Sequence, residues 1–256
     1  MRRSVLFLAA AMLLGSTGQA LAQKNAIRLT TTLVDPKVCG SQVNGDNVAG
    51  HSYVHIGDVG YTVQKGDRLV YDVLIPNEST LNAGAVDLID IDGARGGGTL
   101  RDSNAKDQFG IYAHPASDLS RTPKLSDGTP IFQRGKWHHR EIVLGLDREF
   151  NRDREYGEDP LDQLDGTIGR WFVAIDLHDT THRNDVCPVD TNNPKAIAYF
   201  RNVNIVGADG AVKKALFNNE ATFPGGKTVL NDTNGGYNPP DSIASVLVEI
   251  VPDPVP

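Results

Sequence analysis

Residues 68–75 read RLVYDVLI, and residues 170–177 read RWFVAIDL. In the first, Leu69, Tyr71, Val73 and Ile75 share one side of an extended chain. In the second, Trp171, Val173, Ile175 and Leu177 share one side, and Phe172, Ala174 and Asp176 share the other. Successive side chains of a strand point to opposite faces, so a period of two with one apolar face describes a half-buried strand of an antiparallel sheet. Five further runs have the same β-branched and aromatic character: 26–34, 85–91, 140–146, 196–206 and 245–251. They are bounded by turn residues, and Gly and Pro, 26 and 14 in number, punctuate the whole chain. Asp209-Gly210 is a hairpin signal. No stretch sustains a helical period with caps. The expected fold is all-β: a two-sheet antiparallel β-sandwich of jelly-roll type.

The N-terminus stands outside that argument. Arg2 and Arg3 supply positive charge, VLFLAAAMLLG is a short apolar run, and Ala20-Leu21-Ala22 is a small-residue cleavage site. That is the three-part pattern of a secretory signal peptide over 1–22, and the run is too short for a bilayer span. No later segment is apolar enough to cross a membrane. The chain is therefore expected to be secreted, either extracellular or periplasmic, with one β-sandwich domain over 23–251. Residues 252–256 end a proline-rich VPDPVP run and are expected to form a flexible tail.

The net charge of −7 leaves no basic footprint for nucleic acid and no polybasic membrane patch. The two cysteines, Cys39 and Cys187, would meet an oxidising compartment, where paired thiols are the rule. Such a bridge closes a long loop and contributes roughly 4–5 kcal/mol in chain-entropy models, less any strain.

Between Asp90 and Leu119 the chain reads DIDGARGGGTLRDSNAKDQFGIYAHPASDL, with GKWHHREIVLG further on. The order of elements resembles a jelly-roll module appended to secreted bacterial glycoside hydrolases. The matching elements are Asp92-Gly93, Leu100-Arg101-Asp102, Asp107-Gln108-Phe109-Gly110, His114-Pro115, Trp137 to Arg140, and Tyr199-Phe200-Arg201-Asn202. The resemblance covers Tyr53 to Val206. This chain departs from the pattern in a Gly-rich insertion, Ala94 to Gly98, and in Arg201, which stands where such modules carry aspartate. The second departure argues against a structural metal on that strand. The resemblance implies a sandwich that binds or presents carbohydrate. The site it implies comprises Arg101, Asp102, Asp107, Gln108, Tyr112, His114, Trp137 and Arg140.

The residue chemistry is compatible with sugar. Carboxylates, amides and guanidinium groups read hydroxyls, and rings read C–H faces. The bland reading stands beside it: Arg101 with Asp102 or Asp107 forms an ordinary ion pair, and Asp-Gln-x-Gly fixes a turn. Alternation puts Trp137, His139 and Glu141 on one side of their strand and His138, Arg140 and Ile142 on the other. Trp137 reads as a core ring before it reads as a sugar platform.

Metal signals are weak. His51 and His55, like His178 and His182, have zinc-hydrolase spacing without its glutamate and without a helix. DREFNRDREYGED at 147–159 alternates oxygen-bearing side chains, so calcium is the one candidate ion, but three arginines oppose the charge. No cofactor is expected. The Glu-x-Asp-x-x-Glu pattern of laminarinase-like jelly rolls, the Arg/Gln-His/Tyr signatures of alginate lyases and the Gly-x-Ser-x-Gly elbow are all absent.

The sequence supports three functional expectations: a non-catalytic carbohydrate-binding protein; a polysaccharide lyase or hydrolase using His139, Arg140 and a carboxylate such as Asp176; or a structural, adhesive protein of the cell exterior.

Overall fold

The strand over RLVYDVLI forms as its pattern requires. Leu69, Tyr71 and Val73 are fully buried, while Arg68, Val70 and Asp72 alternate with them at intermediate exposure. This comes from a computed structural model, which describes residues 24–33, 42–43, 46–47, 51–79, 83–90, 111–112, 133–144, 167–176, 195–231 and 244–255. Those residues form β1 (Asn25–Leu33), β2 (Gln42–Val43), β3 (Asp46–Asn47), β4 (His51–Thr62), β5 (Arg68–Leu74), β6 (Ala83–Asp90) and β7 (Ile111–Tyr112). They continue with β8 (His138–Val143), β9 (Thr167–Asp176), β10 (Lys195–Val206), β11 (Val212–Phe217), β12 (Val229–Asn231) and β13 (Ala244–Pro252). No helix occurs among the described residues, so none there is long and apolar enough to cross a membrane.

The strands make two main sheets, antiparallel throughout. The larger has seven strands in the order β12-β13-β1-β10-β5-β8, with β11 also pairing β10. The smaller has four, in the order β4-β9-β6-β7, and β2 and β3 form a separate short pair. The inner faces pack on each other. Ile27, Leu29, Leu69, Tyr71, Val73, Ala198, Phe200 and Val248 from the larger sheet share one core with Val54, Val86, Leu88, Trp171, Val173 and Ile175 from the smaller. Each large aliphatic or aromatic side chain buried there contributes about 1.5–3 kcal/mol. Within that core the Thr31 hydroxyl donates to Ser52 Oγ (3.1 Å), joining β1 to β4 across the layers, with both residues fully buried.

Several sequence expectations need correction. The strand expected at 140–146 starts earlier, running from His138 to Val143, and the Leu144 amide then donates to Asp67 C=O (2.9 Å); residues 145 and 146 lie outside the described residues. β4 had no counterpart among the expected strands. Its alternation is broken by two register shifts against β9, between His55 and Gly57 and between Asp58 and Tyr61. Gly60 adopts φ +61° within the second of these. Each bulge inverts the facing of the residues beyond it, so the apolar set Val54, Ile56, Val59 and Val63 has no constant period.

The tail is also not loose. β13 runs on to Pro252, which pairs with Asn25, and the Asp253 amide donates to Lys24 C=O (2.9 Å). Proline ends the ladder without interrupting it, and Asp253 then finds donors supplied only by folding. Pro256 lies outside the described residues.

Strand β10 changes partner midway. Before Arg201 it pairs with β1; from Val203 onward it pairs with β11. Opposite β5, Arg201 faces Asp72 and Asn204 faces Val70, so Asn202 and Val203 together oppose Tyr71. Asn202 holds φ +54°, a left-handed conformation that asparagine tolerates better than most residues. The bulge lets both Phe200 and Val203 face inward, though an unbroken strand would point them to opposite sides.

Candidate functional site

Two outward surfaces carry the chemistry, one on each sheet. On the larger sheet, Asp72 of β5 is the centre. Its carboxylate accepts from His139 Nδ1 (2.9 Å), Arg201 Nε (3.2 Å) and Asn202 Nδ2 (2.6 Å). Arg201 also donates to Asp253, and its guanidinium lies 4.2 Å from the centroid of the Trp137 ring. Trp137 Nε1 donates to Asp253 Oδ1 and to Val255 C=O, both at 3.1 Å. Asn219 Nδ2 donates to Asn202 Oδ1 (2.8 Å), and Asn219 Oδ1 accepts the Asn202 amide (3.2 Å), which locks the bulge. Close by, Arg28 pairs with Glu249 across β1 and β13, which raises the guanidinium above its ordinary value.

Trp137 therefore has the core-like role that its sequence favoured, although on the outside of the sheet. It packs with Ala26, Leu74, Ile197, Tyr199 and Val251. Arg201 covers part of its ring, so it does not offer an open platform. The anomalous arginine is explained as well: it bridges Asp72 and Asp253, and so ties the chain's end to the sheet.

Arg140 lies on the other side of β8. It faces Tyr71 in register, and the pair sits on the inward side of the edge strand. Burial pushes the guanidinium below its ordinary value, partly offset by the Tyr71 hydroxyl. His138 is half-buried, takes the Gln133 amide on Nε2 (2.9 Å), and is held below the usual imidazole value chiefly by desolvation. Trp137 and Arg140, expected to share a ligand, are thus separated by the sheet. So are His139 and Arg140, and Asp176 belongs to the other sheet.

On the smaller sheet, register gathers residues that are far apart in sequence. Asp176 of β9 lies opposite His51 of β4 and opposite Ala83 of β6, which in turn lies opposite Tyr112 of β7. The next outward row is Tyr53, Ala174 and Ala85; the one after it is His55, Phe172 and Asp87. Their neighbours Val54, Val86 and Val173 belong to the core, so these three rows hold the outward positions. The His55 ring lies 5.2 Å from that of Phe172, and Arg170 lies 5.8 Å from the Phe172 centroid. His55 Nε2 is 3.5 Å from Asp58, an ion-pair distance without hydrogen-bond geometry. Both Phe172 and Ala174 are buried, so this side of the sheet is sheltered. His51 and His55 stand on an extended strand, with Cα atoms about 13 Å apart, too far for one zinc ion.

Arg101, Asp102, Asp107, Gln108 and His114 lie outside the described residues, as do Cys39, Cys187, the 147–159 loop, His178 and His182. Among the described residues, no group of three or more His, Cys, Asp or Glu side chains is arranged to hold a metal. Sequence reasoning missed Asp72, and it missed the register that sets Tyr112 and Asp176, both already candidates, in one row with His51 and Ala83. The first carried a signal, as the lone carboxylate within RLVYDVLI. The second had none, because its members come from four strands.

No family model matches this chain, and neither the curated proteins nor the solved structures contain a match to it.

Proposed function

We propose that this chain is a secreted, non-catalytic carbohydrate-binding protein built as a jelly roll. Supporting the architecture, β1-β10-β5-β8 in one sheet stack against β4-β9-β6-β7 in the other. The chain crosses between the sheets from β1 to β4, β4 to β5, β5 to β6, β7 to β8, β8 to β9 and β9 to β10. That interleaving is how two Greek keys form a double-sheet roll.

The observation that carries the binding reading is the outward side of the smaller sheet. Positions occupied by aromatic, histidine and aspartate residues from all four strands share it. Residues 91–110, with Arg101, Asp102, Asp107 and Gln108, connect β6 to β7 of that same sheet, and His114 comes shortly after β7. Sugar recognition needs this mixture: hydroxyl readers beside apolar ring faces. A polysaccharide-cleaving site made of His139, Arg140 and Asp176 receives no support, since the three lie on different faces or sheets.

Residues 1–22 act as the export signal in this reading, and Cys39 pairs with Cys187 in the oxidising compartment. Calcium enters only as a candidate ligand of the 147–159 loop. A glycan array and polysaccharide pull-down on the mature chain test the assignment. Binding to at least one glycan is expected, and silence across plant, algal and bacterial glycans would sink it. Adhesion without sugar is the alternative outcome, read as self-association in size-exclusion chromatography.

A further inference from the structure

We infer that Trp137 and Arg201 form a seat for a proline-rich, acidic segment, which the chain fills with its own residues 253–255 and which such a segment of another protein occupies when that strap is displaced. The seat lies on the larger sheet and stands apart from the carbohydrate reading.

The seated strap shows what is recognised. From Val251 the chain reads VPDPVP. Proline offers a carbonyl but no N–H, and its fixed φ lowers the entropy lost on docking. An indole N–H only donates, so it suits a segment rich in acceptors. Trp137 Nε1 meets both kinds of acceptor in the strap, the Asp253 carboxylate and Val255 C=O, each at 3.1 Å. Arg201 supplies the charge opposite Asp253, whose side chain is only 3 % exposed. A cation for the carboxylate and a donor for the carbonyl two residues later read the order Asp-Pro-Val, rather than proline alone. Trp137 itself packs with Ala26, Leu74, Ile197, Tyr199 and Val251, which hold it in place without the strap.

The strap is built to be exchanged. Among the described residues, the apolar clusters end at Val251, so release of 253–255 leaves both layers packed. Beyond Asp253, Trp137 holds the strap by one carbonyl, and the Val255 amide turns back to Asp253 Oδ1 (3.0 Å) within the strap itself. Val255 is 42 % exposed, so the seat opens at the surface. A strap on the same chain competes at an effective concentration on the order of millimolar, so a loosened strap leaves the seat more open to a separate segment.

The test follows the indole N–H signals of the isotope-labelled mature chain by NMR. The chain has two tryptophans, and buried Trp171 is the internal control. The probe is a peptide of residues 251–256, VPDPVP, set against the same peptide carrying Asp253→Ala. In the chain, Asp253→Ala loosens the strap. There the VPDPVP peptide should shift the Trp137 signal and leave Trp171 in place, with half-saturation at least about tenfold below that of the alanine peptide. The parent chain should need about tenfold more peptide for the same shift. Should Asp253→Ala not fold, Asp253→Asn, which keeps an acceptor for the indole and loses the charge, takes its place. A Trp137 signal unmoved up to about 10 mM peptide, or an equal response to the two peptides, overturns the inference. A Trp137 signal that shifts with the concentration of the parent chain alone puts a second copy's tail in the seat and overturns the assignment to another protein.

Discussion

Replacing Asp72 by alanine removes the acceptor on which three donors converge, and its cost can be worked out donor by donor. Asn202 Nδ2, at 2.6 Å, loses its carboxylate inside a left-handed bulge, for about 1–1.5 kcal/mol. Arg201 loses one of two carboxylates but keeps Asp253 and the Trp137 ring, for about 1 kcal/mol. His139 is 61 % exposed, so its bond contributes at most about 0.5 kcal/mol. The expected loss is about 2–3 kcal/mol, or roughly 5–10 °C in melting temperature for a chain of this size. Urea denaturation of Asp72→Ala gives the total. Double-mutant cycles apportion it: coupling of about 1 kcal/mol with Asn202→Gly, which keeps the backbone conformation, and near zero with His139→Ala. A total below about 0.5 kcal/mol, or equal coupling to Asn202 and His139, would refute the view that Asp72 anchors the bulge.

Three other outcomes are expected. Thr31→Val or Ser52→Ala alone should cost about 1–3 kcal/mol in urea melts, because each strands a buried hydroxyl, while the double variant recovers most of the loss; simple additivity would show that the hydroxyls do not depend on each other. The Tyr61 hydroxyl donates to Asp67 (2.8 Å), and burial, then that carboxylate, push the phenol from 10.0 up to about 12. Its contribution is therefore whole below pH 10.0 and lost as pH rises toward about 12, so Tyr61→Phe should flatten the alkaline limb of the stability profile and leave the acid limb alone. Trp137→Phe loses the indole donor to Asp253 and Val255, which should cost about 1–2 kcal/mol and speed amide exchange at 253–255; unchanged exchange there would mean the tail is held by β13 alone.

The sequence determined most of the layers. RLVYDVLI and RWFVAIDL both lie in the sheets with Leu69, Tyr71, Val73, Ile75, Trp171, Val173 and Ile175 inward, but the second is not half-buried, since Phe172 and Ala174 on its other side are buried too; Leu177 lies outside the described residues. Asp209-Gly210 forms the turn between β10 and β11, with Gly210 at φ +79° and its amide on Gly207 C=O (2.9 Å). Local chemistry suffices for such features, because facing and turn type depend on near neighbours. β4 escaped because bulges between His55 and Gly57 and between Asp58 and Tyr61 shift its period, and a shifted period is legible only against the partner strand. The tail escaped for a related reason: Pro252 argues against a ladder locally, whereas Trp137, Arg201 and Lys24 hold Asp253 from more than fifty residues away in the chain.

Only the tertiary structure decided which polar groups meet. Trp137 and Arg140 are three residues apart and point to opposite sides of one sheet, because an odd step along a strand inverts the face. His51, Ala83, Tyr112 and Asp176 are scattered over more than a hundred residues and fall into a single row. Side-chain alternation is encoded residue by residue, but strand order and register arise from the packing of two sheets over one core. The kinds of group available were therefore written along the chain, while their convergence was set by the strands that pairing made neighbours.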